Sequence, residues 1–92
     1  MEELDKCREE IDKINSEILE CVGNRVKIVR EIARVKCKKG MCIKDPEREK
    51  KMLDKLALEG EKYDLDRDFV IDMFKKIIEF SICKEEQENG RN

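Results

Sequence analysis

The first 38 residues of the chain contain no proline and space their apolar residues by alternating steps of four and three. Counted from Leu4, this spacing predicts a single helix from Glu2 to about Lys38 with a seam like that of a coiled coil. The seam positions are Leu4, Arg8, Ile11, Asn15, Ile18, Val22, Arg25, Val29, Ile32 and Lys36. Six of these ten are aliphatic, while three cations and one amide occupy positions at which a helix normally buries its side chains.

The length of this helix constrains the assembly. A continuous helix of some 37 residues is about 55 Å long. A compact monomer of 92 residues has a radius of gyration of only about 12 Å, so its other residues cannot cover the whole seam. We therefore expect an intertwined homodimer. The alternative is a monomeric four-helix bundle in which the first helix breaks at Gly23-Asn24, where glycine weakens a helix by about 1 kcal/mol relative to alanine.

A second helix is predicted after a turn around Lys39-Gly40. It runs from Pro46 to about Glu59, because Asp45 can accept hydrogen bonds from free backbone N–H groups and proline needs no donor at the first helical position. Gly60 follows as a C-cap signal. The apolar stripe of this helix is Met52, Leu53, Leu56 and Ala57.

A third helix is predicted to begin at Asp66 or Asp64. Its stripe is Val70, Phe74, Ile77, Ile78, Ser81 and Glu85, with the polar members at one end. After Glu86 the segment QENGRN has no apolar residue, so about 87–92 is predicted to be a frayed tail. Lysine, glutamate, leucine and isoleucine dominate and turn residues are few, so residues 1–92 are predicted to form a single all-α domain.

Arg48 lies in the first turn of the second helix, where the helix dipole disfavours a cation. Counting back by four from Met52 and Leu53 places Arg48 and Glu49 on the apolar stripe. A cation turned inward is costly to desolvate unless it is paired, so this position indicates an anion in front of Arg48.

The seam cations suggest where that anion binds. Arg25 and Lys36 are eleven residues apart, so they share one face of the helix about 16 Å apart along its axis and can converge on one small molecule. Arg8 is about 25 Å from Arg25 along the helix. It can reach the same ligand only from the partner chain of an antiparallel dimer. Such a pocket, with Glu49 and Glu85 as its acids, suits a small polyanion such as a dicarboxylate.

Composition excludes several classes of function. The 21 basic and 23 acidic residues nearly cancel, so no broad field for nucleic acid or a membrane surface is expected. There is no apolar run of about 18 residues, and the opening MEELDKCREE is not a signal peptide, so a cytoplasmic protein is predicted.

Cysteine and histidine usage adds a chemical constraint. The five cysteines, Cys7, Cys21, Cys37, Cys42 and Cys83, have irregular spacings and no CxxC pair, which favours reduced structural thiols and no metal site. The chain contains no histidine, so the usual general base and the Cys–His and Ser–His nucleophiles are missing. Electrostatic stabilisation and conformational restraint are the chemistry that remains.

Several motifs extend over nearly the whole chain. They are C-R-E-E-I-D-K-I-N from residue 7, I-L at 18–19, N-R at 24–25, V-K at 35–36, K-D-P-E-R-E at 44–49 and I-I-E-F-S at 77–81. In these motifs the chain resembles the AroQ class of chorismate mutases. The resemblance implies a three-helix, domain-swapped homodimer that rearranges chorismate to prephenate without a cofactor, the branch step toward phenylalanine and tyrosine.

The resemblance also implies roles for the cations of the first helix. Arg25 and the partner subunit's Arg8 would hold the two substrate carboxylates. Lys36 would contact a carboxylate and the ether oxygen, on which negative charge grows as the C–O bond breaks. The reaction is pericyclic, which agrees with the absence of a general base.

For the other two helices, the resemblance implies that Arg48 lines the pocket with Asp45 and Glu49 near the ring hydroxyl. Ser81 would be a further carboxylate contact. Bacterial members commonly have a glutamine four residues after the serine, where this chain has Glu85. Glu85 must be protonated to donate a hydrogen bond to the ether oxygen, so activity that falls as pH rises is expected.

Two other functions remain open from the sequence. An isochorismate-pyruvate lyase uses the same scaffold and a similar cationic pocket. A non-enzymatic helical dimerisation module would instead use the seam cations to pair with Glu49 and Glu85 across the interface.

Overall fold

The structure, a computed structural model, describes residues 1–41 and 44–90 as three α-helices and one short 3₁₀ turn. Helix α1 is Glu2–Lys39, α2 is Pro46–Gly60, the 3₁₀ turn is Glu61–Tyr63 and α3 is Arg67–Gly90. The prediction of an all-α chain with one long and two shorter helices is confirmed.

Helix α1 is continuous over 38 residues, so it does not break at Gly23-Asn24 and the four-helix alternative is wrong. It ends at Gly40, which adopts the left-handed conformation at φ 66°. The backbone N–H of Gly40 donates to the Cys37 carbonyl at 3.2 Å and that of Met41 donates to the Lys36 carbonyl at 2.8 Å. These bonds satisfy carbonyls that the helix end would otherwise leave without partners.

Helix α2 begins as predicted. The Asp45 carboxylate accepts a hydrogen bond from the Arg48 backbone N–H at 3.2 Å, and Pro46 takes the first helical position. The prediction for its C-terminus is wrong in detail. Gly60 has right-handed helical angles, with φ −61°, and leads directly into the 3₁₀ turn. It is needed for close packing, because a Cβ at Gly60 would lie 2.8 Å from Val70 Cγ2.

This contact gives a stability prediction. Replacing Gly60 with alanine should lower the free energy of unfolding by about 1 kcal/mol, because overpacking against the stiff, buried Val70 side chain outweighs the better helix propensity of alanine. Gly23→Ala is the matched control, since a Cβ there meets no atom within 4 Å; it should raise stability by up to about 1 kcal/mol. Urea unfolding at one protein concentration measures both, and a Gly60→Ala protein as stable as Gly23→Ala would contradict the packing argument.

Helix α3 follows Asp66, whose carbonyl accepts from the Val70 N–H at 3.1 Å, so the later of the two predicted starts is the correct one. Asp64 lies in the connecting turn at φ 57°. The helix continues to Gly90, so residues 87–90 are helical where the sequence indicates fraying. An ion pair between Glu88 and Arg34 of α1 holds this end of the helix. The last two residues of the predicted tail lie outside the described residues.

The core lies where α3 packs against the C-terminal half of α1 and against α2. Its buried apolar residues are Val29, Ala33, Leu53, Ala57, Val70 and Ile78. The predicted stripes of α2 and α3 are all buried or half-buried, including Ser81 and Glu85 at 4% and 7% exposure.

The N-terminal half of α1 makes no such contact. Every residue from Met1 to Cys21 is exposed, including aliphatic seam residues such as Ile11 and Ile18. The chain measures 57 × 28 × 15 Å, and its radius of gyration is 16.7 Å, against about 12 Å for a compact chain of this length. An apolar surface is therefore left uncovered along half of α1.

Other sequence expectations concern thiols, metals and membranes. The four described cysteines, Cys7, Cys21, Cys37 and Cys83, are free thiols, and all four are exposed; Cys42 lies outside the described residues. Over residues 1–41 and 44–90, no acidic and thiol groups cluster to hold a metal ion, and no helix is both long and apolar enough to cross a membrane.

Candidate active site

The three helices meet around a cavity of about 340 Å³. Seven of the eight residues that the sequence singles out lie in its wall, and they come from all three helices and the loop before α2. They are Arg25, Lys36, Asp45, Arg48, Glu49, Ser81 and Glu85. The eighth, Arg8, is exposed on the uncovered half of α1 and does not line the cavity.

Arg25 is positioned by a hydrogen-bond chain from α3. Its Nη1 donates to Ser81 Oγ, and Ser81 Oγ donates in turn to the Ile77 carbonyl at 2.7 Å. The Ser81 hydrogen is therefore committed to the backbone, which leaves the hydroxyl oxygen to accept from the guanidinium. This chain of bonds orients Arg25 toward the cavity, and the Ser81 hydroxyl donates to a backbone carbonyl and not to a base that would activate it as a nucleophile.

Lys36 of α1 and Glu85 of α3 form an ion pair where the two helices pack together. Lys36 Nζ lies 3.6 Å from Glu85 Oε2, and the two side chains are 20% and 10% exposed. This separation is beyond hydrogen-bond length, and Glu85 Oε2 has no hydrogen-bond partner in the described part of the chain. A small oxygen-bearing ligand would thus find an ammonium group and a carboxyl group adjacent to one another.

The start of α2 supplies the other polar wall. Asp45 uses a carboxylate oxygen to cap the helix, and the cap fixes where the first turn begins. Arg48 and Glu49 then lie in this first turn and line the cavity, with Glu49 half-buried and Arg48 exposed in the single chain. No carboxylate among residues 1–41 and 44–90 forms an ion pair with the Arg48 guanidinium.

Sequence reasoning missed one cation and two apolar residues of the wall, Met41 and Ile82. Lys44 lies in the cavity wall just before the helix cap. Its place in the K-D-P-E-R-E motif, next to the capping aspartate, was the available signal. Apolar side chains such as Val29, Met52 and Ile78 complete the wall. The cavity therefore presents four cations and three acids around an apolar floor, which suits a small ligand with several negative charges and an apolar ring.

The described residues thus form an all-α protein whose three helices line one charged cavity. The amino-acid sequence identifies the family. Residues 7–86 match the chorismate mutase type II family, and the chain belongs to that family.

Several curated proteins are similar to the chain. It is 38% identical over 80 residues to a bifunctional chorismate mutase/prephenate dehydratase of Buchnera aphidicola, covering 87% of this chain and 21% of that protein. It is 33% identical over 87 residues to the T-protein of Haemophilus influenzae, covering 95% and 23%. It is 30% identical over 87 residues to the chorismate mutase of Methanocaldococcus jannaschii, covering 95% and 88%. The chain thus spans about a fifth of the first two relatives and most of the third.

Proposed function

We propose that the chain catalyses the cofactor-free rearrangement of chorismate to prephenate, in phenylalanine and tyrosine biosynthesis. The observation that carries this proposal is the cavity itself. In a chain of the chorismate mutase type II family, the cations predicted on two separate helices line one space together with Ser81 and Glu85. Its volume of about 340 Å³ is within the range of small-molecule sites.

The charges of the cavity match those of the substrate. Chorismate carries two carboxylates, and a planar guanidinium group, such as that of Arg25 or the partner subunit's Arg8, can bind a carboxylate through two hydrogen bonds. Holding both carboxylates at once restrains the substrate in the compact geometry in which the new C–C bond forms as the C–O bond breaks. Lys36 would stabilise the negative charge that grows on the ether oxygen, in a cavity where apolar walls strengthen the interaction.

Glu85 would complete the contacts to the ether oxygen. Its buried carboxyl is adjacent to Lys36, and its Oε2 lacks a hydrogen-bond partner among the described residues. In the protonated state this oxygen would donate to the ether oxygen next to the lysine. The deprotonated carboxylate would repel the developing charge, so we assign the activity to the protonated form.

A pH prediction follows from this assignment. The rate should fall as pH rises, because the donor is lost when Glu85 ionises, and Glu85→Gln should flatten the profile because an amide donates at every pH. Turnover measured from about pH 5 to 8 tests this. Glu86→Gln, which removes a neighbouring exposed charge, should keep the wild-type profile. A wild-type rate that does not change with pH over this range would contradict the role of Glu85.

We propose further that two copies form an intertwined, domain-swapped homodimer. The uncovered half of α1 supports this, since its aliphatic seam residues would otherwise stay in water. Arg8 lies on this half, about 25 Å along the helix from Arg25. In an antiparallel pair of α1 helices, the partner subunit's Arg8 would enter the cavity and hold the second carboxylate beside Arg25.

The direct test is the loss of chorismate absorbance on mixing with the purified chain, followed by identification of prephenate. Isochorismate is the parallel substrate, because release of pyruvate from it would identify a lyase. A dimer without turnover of either substrate would instead indicate a dimerisation module and would contradict the proposed activity.

A further inference from the structure

A second charge cluster lies close to the Lys36–Glu85 pair. Arg34 Nε donates to Glu88 Oε1 at 3.0 Å, and Arg34 Nη1 donates to Glu31 Oε2 at 2.5 Å. The hydrogen bond that Arg34 donates to Glu88, reinforced by the charge of Glu31, raises the pKa of the Arg34 guanidinium. The Glu88 side chain is only 13% exposed whereas that of Glu31 is 64% exposed, so the contact between helices is the shielded one.

Within the described residues, two ion pairs join α1 to α3, and they lie on opposite sides of the contact between these helices. Ala33 is fully buried and marks the middle of the α1 face. At about 100° per residue, Arg34 is turned about 100° to one side of Ala33 and Lys36 about 60° to the other. On α3, Glu85 pairs with Lys36 and Glu88, one turn further on, pairs with Arg34. A helix held on both sides of its contact line cannot roll about its own axis without breaking one pair.

Apolar packing contributes little to holding the described end of α3. Within residues 83–90 of the described helix no apolar side chain is buried, and the buried Asn89 Oδ1 has no hydrogen-bond partner among the described residues. A buried acceptor without a partner destabilises the segment that carries it. Contacts of Glu85 and Glu88 with α1 must therefore offset the cost of keeping this segment docked.

We propose that Arg34 and Glu88 form a positioning pair that sets the rotation of the last turns of α3 and so keeps the Glu85 carboxyl in the cavity. The catalytic consequence rests on the proposed function of Glu85. Neither Arg34 nor Glu88 lines the cavity. They act through Glu85, and their removal should alter the geometry of the chemical step more than the binding of the carboxylates.

The first test separates kcat from KM. Glu88→Gln and Arg34→Met should each lower kcat about three- to tenfold, while KM for chorismate changes less than about twofold, because Arg25 and the partner subunit's Arg8 still hold the carboxylates. Glu31→Gln is the matched control, since it removes the exposed ion pair of Arg34 with Glu31 and leaves the contact of Arg34 with Glu88 of α3. Arg34→Lys, which keeps the charge, should recover part of the loss. If Glu88→Gln has the same kcat as Glu31→Gln, the positioning role is wrong.

A double-mutant cycle separates positioning from general destabilisation. In a Glu85→Ala background there is no carboxyl to position, so adding Glu88→Gln should leave the residual kcat unchanged. A purely structural pair would lower kcat by the same factor in both backgrounds, and that result would overturn the proposal.

Hydrogen exchange provides a readout that does not depend on turnover. The backbone amides of residues 85–90 should exchange faster in Glu88→Gln than in Glu31→Gln, whereas those of α2 should not differ. If the wild-type chain does not convert chorismate, the proposed function fails, and exchange alone then tests whether the pair holds the end of α3. Equal exchange in the two variants would overturn the positioning pair even in an active enzyme.

Discussion

Replacing Arg48 with alanine should lower kcat/KM for chorismate by about 10²- to 10³-fold, the range measured when one preorganised charge or hydrogen-bond donor is removed from an active site. The structure supplies the reason for a large effect. Arg48 lines the cavity, and no ion pair within the described residues neutralises its charge, so its guanidinium is available to the substrate. The helix cap at Asp45 fixes where the first turn of α2 begins, and hence the position of Arg48.

The fold should not change, because the cap uses the backbone N–H of Arg48 and not its side chain. Circular dichroism and mass in solution should therefore match those of the wild type. Lys55→Ala is the control, since it removes an equal charge from an exposed position on α2 outside the cavity. Arg48→Lys should be intermediate, because a lysine keeps the charge but loses the paired donors of the guanidinium.

A dimerisation module predicts the opposite pattern. If the cations of the cavity only paired with acids across an interface, Arg48→Ala or Arg25→Ala would weaken the dimer and there would be no turnover to lose. An Arg48→Ala protein with wild-type kcat/KM would contradict the active-site assignment even if the wild type proved active.

Local signals predicted most of the fold. The 4-3 spacing of α1, the Asp45-Pro46 cap and the stripe of α3 each depend on residues within a few turns of one another, and the structure contains all three. Gly23 does not break α1 because its exposed position costs only helix propensity, about 1 kcal/mol, which the many other bonds of a 38-residue helix outweigh.

What the sequence did not reveal depends on contacts between distant segments. Gly60 resembles a helix stop, but its role depends on how closely Val70 approaches it. Arg34 and Glu88 are separated by 54 residues, so their ion pair depends on the rotation of α3 against α1. Most of the candidate site residues were predictable because they disturb a local pattern, as Arg48 does in the first turn of α2. Lys44 lies in a loop without such a pattern.

Mixing two inactive variants should restore activity, which tests the assignment of Arg8 to the partner subunit. Arg8→Ala and Arg25→Ala should each lower kcat/KM about 10²-fold or more, since each removes a proposed carboxylate contact. In a heterodimer of the two, one site combines an intact Arg25 with the partner subunit's Arg8, and the other site lacks both. With random pairing, half of the dimers are heterodimers, so about a quarter of the wild-type activity should return.

A second mixture provides the control. Arg25 and Arg48 line the cavity of the same chain. In a heterodimer of Arg25→Ala and Arg48→Ala, one site therefore lacks Arg25 and the other lacks Arg48, so the mixture should stay inactive. The two mixtures are prepared alike, by co-expression or by unfolding and refolding together.

If Arg8 acted within its own chain, the first mixture would also stay inactive, because no site would then contain both arginines. If Arg8→Ala alone were fully active, Arg8 would have no role at the site. Recovery in the first mixture alone requires that Arg8 and Arg25 come from different chains, which is the arrangement that the uncovered half of α1 and the distance of about 25 Å between the two arginines favour.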